Sequence, residues 1–91
     1  IEETEKVYDF KVYPNPVVEN LLISFNSLIN LSNPLIEIYD ATGRIIKSIN
    51  LQNISKGENN LEVSSIDLDS GWYILKIISD EKSISTKFLK Q

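Results

Sequence analysis

The chain contains no cysteine and no histidine. Without cysteine there is no disulfide framework, no thiolate nucleophile and no cysteine-based zinc site. Without histidine the commonest general base and the commonest transition-metal ligand are missing. An enzyme of this composition would need a carboxylate pair or an activated serine or lysine, and no carboxylate sits in a recognisable catalytic motif. Long apolar runs are also missing. None reaches 18 residues, so no helix spans a membrane and no stable membrane insertion is expected. Positive charge is scarce: nine Lys and Arg stand against thirteen Asp and Glu, a net charge of −4. The basic residues form no stripe that could neutralise a run of phosphates, so nucleic acid is a poor partner.

What is present is an ordinary globular balance. The 91 residues are 42% apolar and 24% charged, enough for one domain and too few for two. The first residue is Ile rather than Met, and the chain reads as a piece of a longer protein. No secretory signal peptide is visible, which in such a piece says nothing about secretion. Residues 1–9 carry Glu2, Glu3, Glu5 and Asp9 against Lys6 alone, with little periodicity. They read as an acidic linker, and the folded domain is expected over residues 10–91.

Within that domain the period is that of strands. Phe10 to Tyr13 forms a short first strand, stopped by Pro14 and Pro16, since proline cannot donate to a ladder. Leu21, Ile23 and Phe25 alternate with Leu22, Ser24 and Asn26. Ser27 to Pro34 reads as a connection. Ile36 and Ile38 share a face opposite Leu35, Glu37 and Tyr39. Asp40-Ala41-Thr42-Gly43 is a turn signal, which makes residues 35–51 a hairpin. Its second arm leaves two core faces open, Ile45 with Ile49 or Ile46. Asn53 to Asn60 reads as a loop, followed by a short strand at Leu61 and Val63. Asp69-Ser70-Gly71 turns the chain into Trp72 to Ser79, apolar on both faces and therefore central in its sheet. A turn at Asp80-Glu81-Lys82 leads to a last strand, Ser83 to Lys90. About seven short strands with turn signals between them predict an all-β fold, a small antiparallel Ig-like β-sandwich. A carboxyl end tied into a sheet is unusual, and it points to that end as part of what the domain presents.

Four pieces of this pattern carry more than local structure. They are Val12-Tyr13-Pro14-Asn15-Pro16, Ile38-Tyr39-Asp40-Ala41-Thr42-Gly43-Arg44, Leu68-Asp69-Ser70-Gly71-Trp72-Tyr73 and the ending Lys87-Phe88-Leu89-Lys90-Gln91. Together they resemble the C-terminal sorting domain of type IX secretion cargo, in its type A form. The resemblance implies a small Ig-like sandwich that follows the N-terminal cargo domains of the same polypeptide. It implies recognition by the outer-membrane secretion machinery and removal by a sortase-like protease at the cell surface. The cargo, carried through the periplasm and outer membrane, is then attached to surface lipopolysaccharide or secreted free. In that reading the sorting motif comprises Pro14, Asn15, Pro16, Tyr39, Asp40, Gly43, Gly71, Tyr73, Lys87 and Lys90. One departure is visible: the stretch Ser64-Ser65-Ile66-Asp67 is slightly long, and either Ile66 or Leu68 could fill the family's leucine position.

Each of these residues also has a plainer role. Pro14-Asn15-Pro16 makes a rigid edge. Gly43 and Gly71 are turn glycines. Tyr39, Tyr73 and Trp72 are packing residues, the tyrosines with hydroxyls that find a partner. Lys87 and Lys90, read as solvent-facing, either protect the last strand from sheet-to-sheet association or are recognised. Asp67-x-Asp69-x-Gly71 resembles the opening of a calcium loop but lacks the twelve-residue pattern, so no metal and no cofactor is expected. The leading expectation is a secretion signal, a recognition module with no catalysis. The alternative is a carbohydrate-binding or fibronectin-like accessory module of a secreted glycosidase, which would present a row of exposed aromatics. The sequence carries no signal for or against self-association.

Overall fold

The computed structural model describes residues 7–80 and 82–91. Residues 1–6 of the expected linker and Glu81 of the expected turn lie outside the described residues. Nine strands follow one another among the described residues: β1 Val7–Tyr13, β2 Asn20–Ser27, β3 Leu31–Ser32, β4 Leu35–Asp40, β5 Ile45–Asn50, β6 Asn53–Ile54, β7 Gly57–Ser64, β8 Gly71–Ser79 and β9 Lys82–Lys90. They form a three-stranded sheet in the order β1-β2-β7, a four-stranded sheet in the order β5-β4-β8-β9, and a small β3-β6 pair. All these pairings are antiparallel. The fold is an all-β sandwich, as the strand period predicts.

Alternation sets its core. Leu21, Ile23 and Phe25 of β2 are fully buried, as are Ile36 of β4, Leu75 of β8 and Phe88 of β9. Ile38, Tyr73 and Ile77 complete the facing layer. Burying each such side chain contributes roughly 1.5–3 kcal/mol. β8 lies between β4 and β9, the central place that its two apolar faces require.

Local departures from alternation explain where the strands differ from the sequence reading. β1 starts at Val7, three residues before the expected domain start, and pairs Val7 with Ser27. Its register shifts between Tyr8 and Lys11, and Asp9 takes φ 54°. This bulge places Val7, Phe10 and Val12 against the core at unequal spacing, which hides the strand period. A second irregularity, between Ile38 and Tyr39, pairs Ile38 with Lys47 but Tyr39 with Ile45. The extra residue turns Ile46 and Ile49 to the core and leaves Ile45 half exposed. β3 and β6 arise inside stretches read as connections. Leu31 and Ile54 pair there and bury one apolar side chain each, too short a signal for periodicity. Gly57 opens β7 opposite Ser27 rather than sitting in a loop.

Candidate functional site

The four motif pieces are scattered over 80 positions of sequence, from Val12 to Gln91, yet they meet at one end of the sandwich. The antiparallel order β5-β4-β8-β9 does most of this. β4 ends at Asp40, β5 begins at Ile45, β8 begins at Gly71 and β9 ends at Lys90. Asp40 lies opposite Tyr73, and Gly71 opposite Lys90. The Asp40–Arg44 turn, the Asp69–Tyr73 entry and the Lys87–Gln91 ending are therefore neighbours.

The proline piece joins them by changing sheets. β1 belongs to the three-stranded sheet up to Tyr13. Both X–Pro peptide bonds that follow, Tyr13–Pro14 and Asn15–Pro16, are cis. Val17 then makes a parallel bridge to Lys90 in the other sheet. The Val17 N–H donates to the Leu89 carbonyl at 2.8 Å, and the Gln91 N–H donates to the Val17 carbonyl at 2.9 Å. The Asn15 side-chain oxygen accepts from the Leu89 N–H at 2.9 Å. Val17 is fully buried. Strands that switch sheets at a bend are a recurrent way to close a sandwich corner. Asn15 thus holds the last strand, a more specific role than the rigid edge its prolines predict.

Each turn at this end is fixed by its own side chains. The Asp40 carboxylate accepts from the Thr42 N–H at 2.9 Å, the Thr42 hydroxyl at 2.6 Å and the Arg44 N–H at 3.0 Å. The Arg44 guanidinium closes on its second oxygen at 3.1 Å. These donors favour the charged form, and the Thr42 hydroxyl leads in lowering the Asp40 pKa to about 2. The Tyr73 hydroxyl donates to the Asp69 carbonyl at 2.6 Å, and its ring stacks on Phe88 with centroids 5.6 Å apart. A tyrosine bonded back to the backbone before its strand is the tyrosine corner of Ig-like sandwiches. Burial first, then the charges of Asp69 and Asp40, raises the Tyr73 pKa.

The β7–β8 crossing is pinned as well. The Ser65 N–H and hydroxyl both donate to the Glu19 carbonyl, at 2.7 and 2.8 Å. Lys47 reaches the Ser64 carbonyl at 3.0 Å and the Asp67 carboxylate at 3.1 Å. The Lys47 hydrogen bond is the main cause of a lowered Asp67 pKa. Leu68 packs against the core while Ile66 is 67% exposed, so Leu68 takes the leucine position that the sequence leaves open.

The outer face of the four-stranded sheet is part apolar, part cationic. Ile45, Tyr39, Ile74 and Lys87 lie in one cross-strand row, with Trp72 and Leu89 paired beside it. Trp72 is 50% exposed, so it is not the packing residue that the sequence predicts. The Lys87 ammonium sits 5.4 Å from its ring centroid, and Lys76 sits 4.9 Å from that of Tyr39. The Tyr39 hydroxyl donates to Glu37 at 2.5 Å, and that bond leads in raising the Tyr39 pKa. Among the described residues no group of three His, Cys, Asp or Glu could hold a metal.

All ten predicted motif residues lie at this end, but not in one role. Pro14, Asn15, Pro16, Gly43 and Lys87 are exposed. Tyr73 is buried, and its contacts are structural. Lys90 is only 8% exposed, which corrects its reading as a solvent-facing charge. The reason is strand parity. Lys87 and Lys90 are three apart, so a regular strand puts them on opposite faces, Lys87 with Leu89 outside and Lys90 with Phe88 inside. Val17, Ile74 and Leu89 were not among the predicted site residues, although Leu89 lies in the last motif piece. The apolar Val17 directly after the proline pair was the one signal available.

Comparison with known families decides what this end belongs to. A family model described as secretion system C-terminal sorting domain matches residues 11–91. The chain belongs to that family. The match starts within β1 and takes in all four motif pieces. The sorting domain is thereby a type IX secretion signal, part of a secreted or cell-surface cargo polypeptide, and its family is not an enzyme family. No helix of the described residues is long and apolar enough to cross a membrane. Curated proteins contain no match to the chain.

Proposed function

We propose that the type IX machinery reads this sorting domain at the end where Pro14–Val17, Asp40–Arg44, Asp69–Ile74 and Lys87–Gln91 meet. The observation that carries the reading is their convergence. Pieces remote in sequence share one surface, and each is held there by its own hydrogen bonds. The exposed Trp72–Lys87 pair and the Ile45–Tyr39–Ile74 row give that surface an apolar centre beside positive charge. Aromatic and apolar anchors beside a charged rim are how protein surfaces are recognised. In this reading a sortase-like protease removes the domain at the cell surface. Its cargo then remains on lipopolysaccharide or is released.

The test is a periplasm-targeted reporter fused ahead of the chain in a type IX-competent cell. The intact chain carries the reporter to the surface. Deleting Ser83–Gln91 abolishes export, but it also removes the fully buried Phe88 and bares β8. Trp72→Ala and Lys87→Ala separate recognition from folding. Lys87 is exposed and its truncation shifts stability by only about 0.5 kcal/mol, whereas loss of the half-buried Trp72 ring costs about 1–2 kcal/mol and is read only in a variant that stays folded. Lost export with an unchanged melting temperature supports the reading. Full export after the nine-residue deletion overturns it and restores the accessory-module alternative.

A further inference from the structure

The outer face of the three-stranded sheet differs in kind from that of the four-stranded one. Strand pairing lays three rows across it: Tyr13–Leu22–Glu62, Lys11–Ser24–Asn60 and Tyr8–Asn26–Glu58. Tyr8 and Tyr13 are 43% and 42% exposed, and Lys11, Leu22, Glu58, Asn60 and Glu62 are exposed with them.

The bulge in β1 makes this face. Strand parity counted back from Tyr13 would point Lys11 and Asp9 outward and Tyr8 inward. Between Tyr8 and Lys11, however, β1 advances three residues while its partner advances two, from Asn26 to Ser24. The extra residue returns Tyr8 to the outward row, and re-aiming a side chain is what bulges beside functional sites do. Leu22 and Asn26 mark the two tyrosine rows on β2, so these rows lie about 14 Å apart along the strands. A groove of about 280 Å³ lies at the first of them, lined by Tyr13, Leu22, Asn60 and Glu62 among others. Among the described residues the side chains of Lys11, Asn26, Asn60 and Glu62 make no hydrogen bond to another group. They present amide and ammonium donors beside amide and carboxylate acceptors, all carried on strands of one sheet.

We propose that this face binds a neutral oligosaccharide lying along the strands between Tyr8 and Tyr13. A sugar ring has an apolar C–H face and a rim of hydroxyls. The C–H face fits a tyrosine ring, and each hydroxyl, both donor and acceptor, fits the mixed set of polar groups. The separation of the two tyrosine rows calls for several linked sugars rather than one. The charges select a neutral chain: Glu58 and Glu62 outnumber Lys11, so a polyanion is repelled. A protein partner fits less well, because interface centres are depleted of charge and the central row here is Lys11–Ser24–Asn60. This site stands apart from the sorting reading, since the Trp72–Lys87 pair belongs to the other sheet.

The test titrates the intact chain with cellohexaose and with mannohexaose to millimolar concentration while its amide resonances are followed. At least one of the two is expected to give saturable shifts in β1, β2 and β7 and none in β8 and β9. Tyr8→Ala and Tyr13→Ala are each expected to weaken that binding about fivefold, the loss of one aromatic contact, in chains that keep their fold. Asn60→Ala is expected to weaken it about threefold, the loss of one hydrogen bond, and is read in the same way should a tyrosine variant not fold. Glucose alone and hexagalacturonate are expected to bind more weakly than the neutral hexasaccharide. Absence of saturable shifts with both hexasaccharides overturns the proposal. So do shifts confined to the four-stranded sheet, and so does unaltered affinity in the folded variants. Equal affinity for glucose would remove the extended ligand, and tighter binding of hexagalacturonate would remove the neutral one; either result overturns the proposal as stated.

Discussion

Replacing Asn15 by Ala tests how the proline piece holds the last strand. The substitution deletes the acceptor of one hydrogen bond, to the Leu89 N–H at 2.9 Å. A typical intramolecular hydrogen bond contributes about 0.5–1.5 kcal/mol net. Leu89 is half-buried and its amide lies at a sheet edge, where water can replace the lost oxygen. The expected loss is therefore in the lower part of that range, about 0.5–1 kcal/mol. Unfolding entropy of roughly 2.1 cal/mol/K per residue gives about 0.19 kcal/mol/K for this chain, hence a fall in Tm of about 3–5 °C. Thermal unfolding followed by far-UV circular dichroism measures it. Amide exchange gives the local reading: protection at Leu89 should fall by about two- to fivefold, with Gln91 following through the Val17 bridge. Asn15→Asp keeps an acceptor at the same place and should retain most of the stability. An Asn15→Ala chain with unchanged Tm and unchanged exchange at Leu89 would refute the role. So would an Asn15→Asp chain as unstable as the alanine variant.

Three further outcomes are expected. Gly43 and Gly71 hold φ of 90° and 145°, and a Cβ at either would meet nothing within 4 Å; the cost of valine is therefore backbone strain of about 1–2 kcal/mol at each, measurable by chemical denaturation. Asp40 has a folded pKa lowered from 3.8 to about 2, so its contribution to stability is complete above its unfolded value and is lost as pH falls through the folded one. Acid unfolding between about pH 4 and pH 2 should accordingly be less steep in Asp40→Asn, and an identical pH profile would contradict the assignment. Calcium and chelators should leave Tm unchanged, because the Asp67 carboxylate is already engaged by Lys47 and a ligand specific to the folded state must raise Tm.

Local alternation alone determined the strands that form the core. In β2, β4 and β8 the residues facing inward are every second residue, and the covalent backbone enforces that parity whatever the strand pairs with. The apolar character of both faces of Trp72–Ser79 likewise determined that β8 is central. The turns at Asp40–Arg44 and Asp69–Gly71 were legible because Asp and Gly act on their immediate neighbours. The tertiary structure decided whatever depends on a partner strand. The bulges in β1 and β5 exist only relative to β2 and β4, so Asp9 could look like linker and Ile45 like core. β3 and β6 exist because Leu31 and Ile54 find each other across the chain. Asn15 meets Leu89 over 74 positions, a contact set by which sheet Val17 enters and carried by no local pattern. The inward face of Lys90 follows from parity. The place of β9 at the margin of its sheet does not, because which strands pair is decided only by the assembled sheet order.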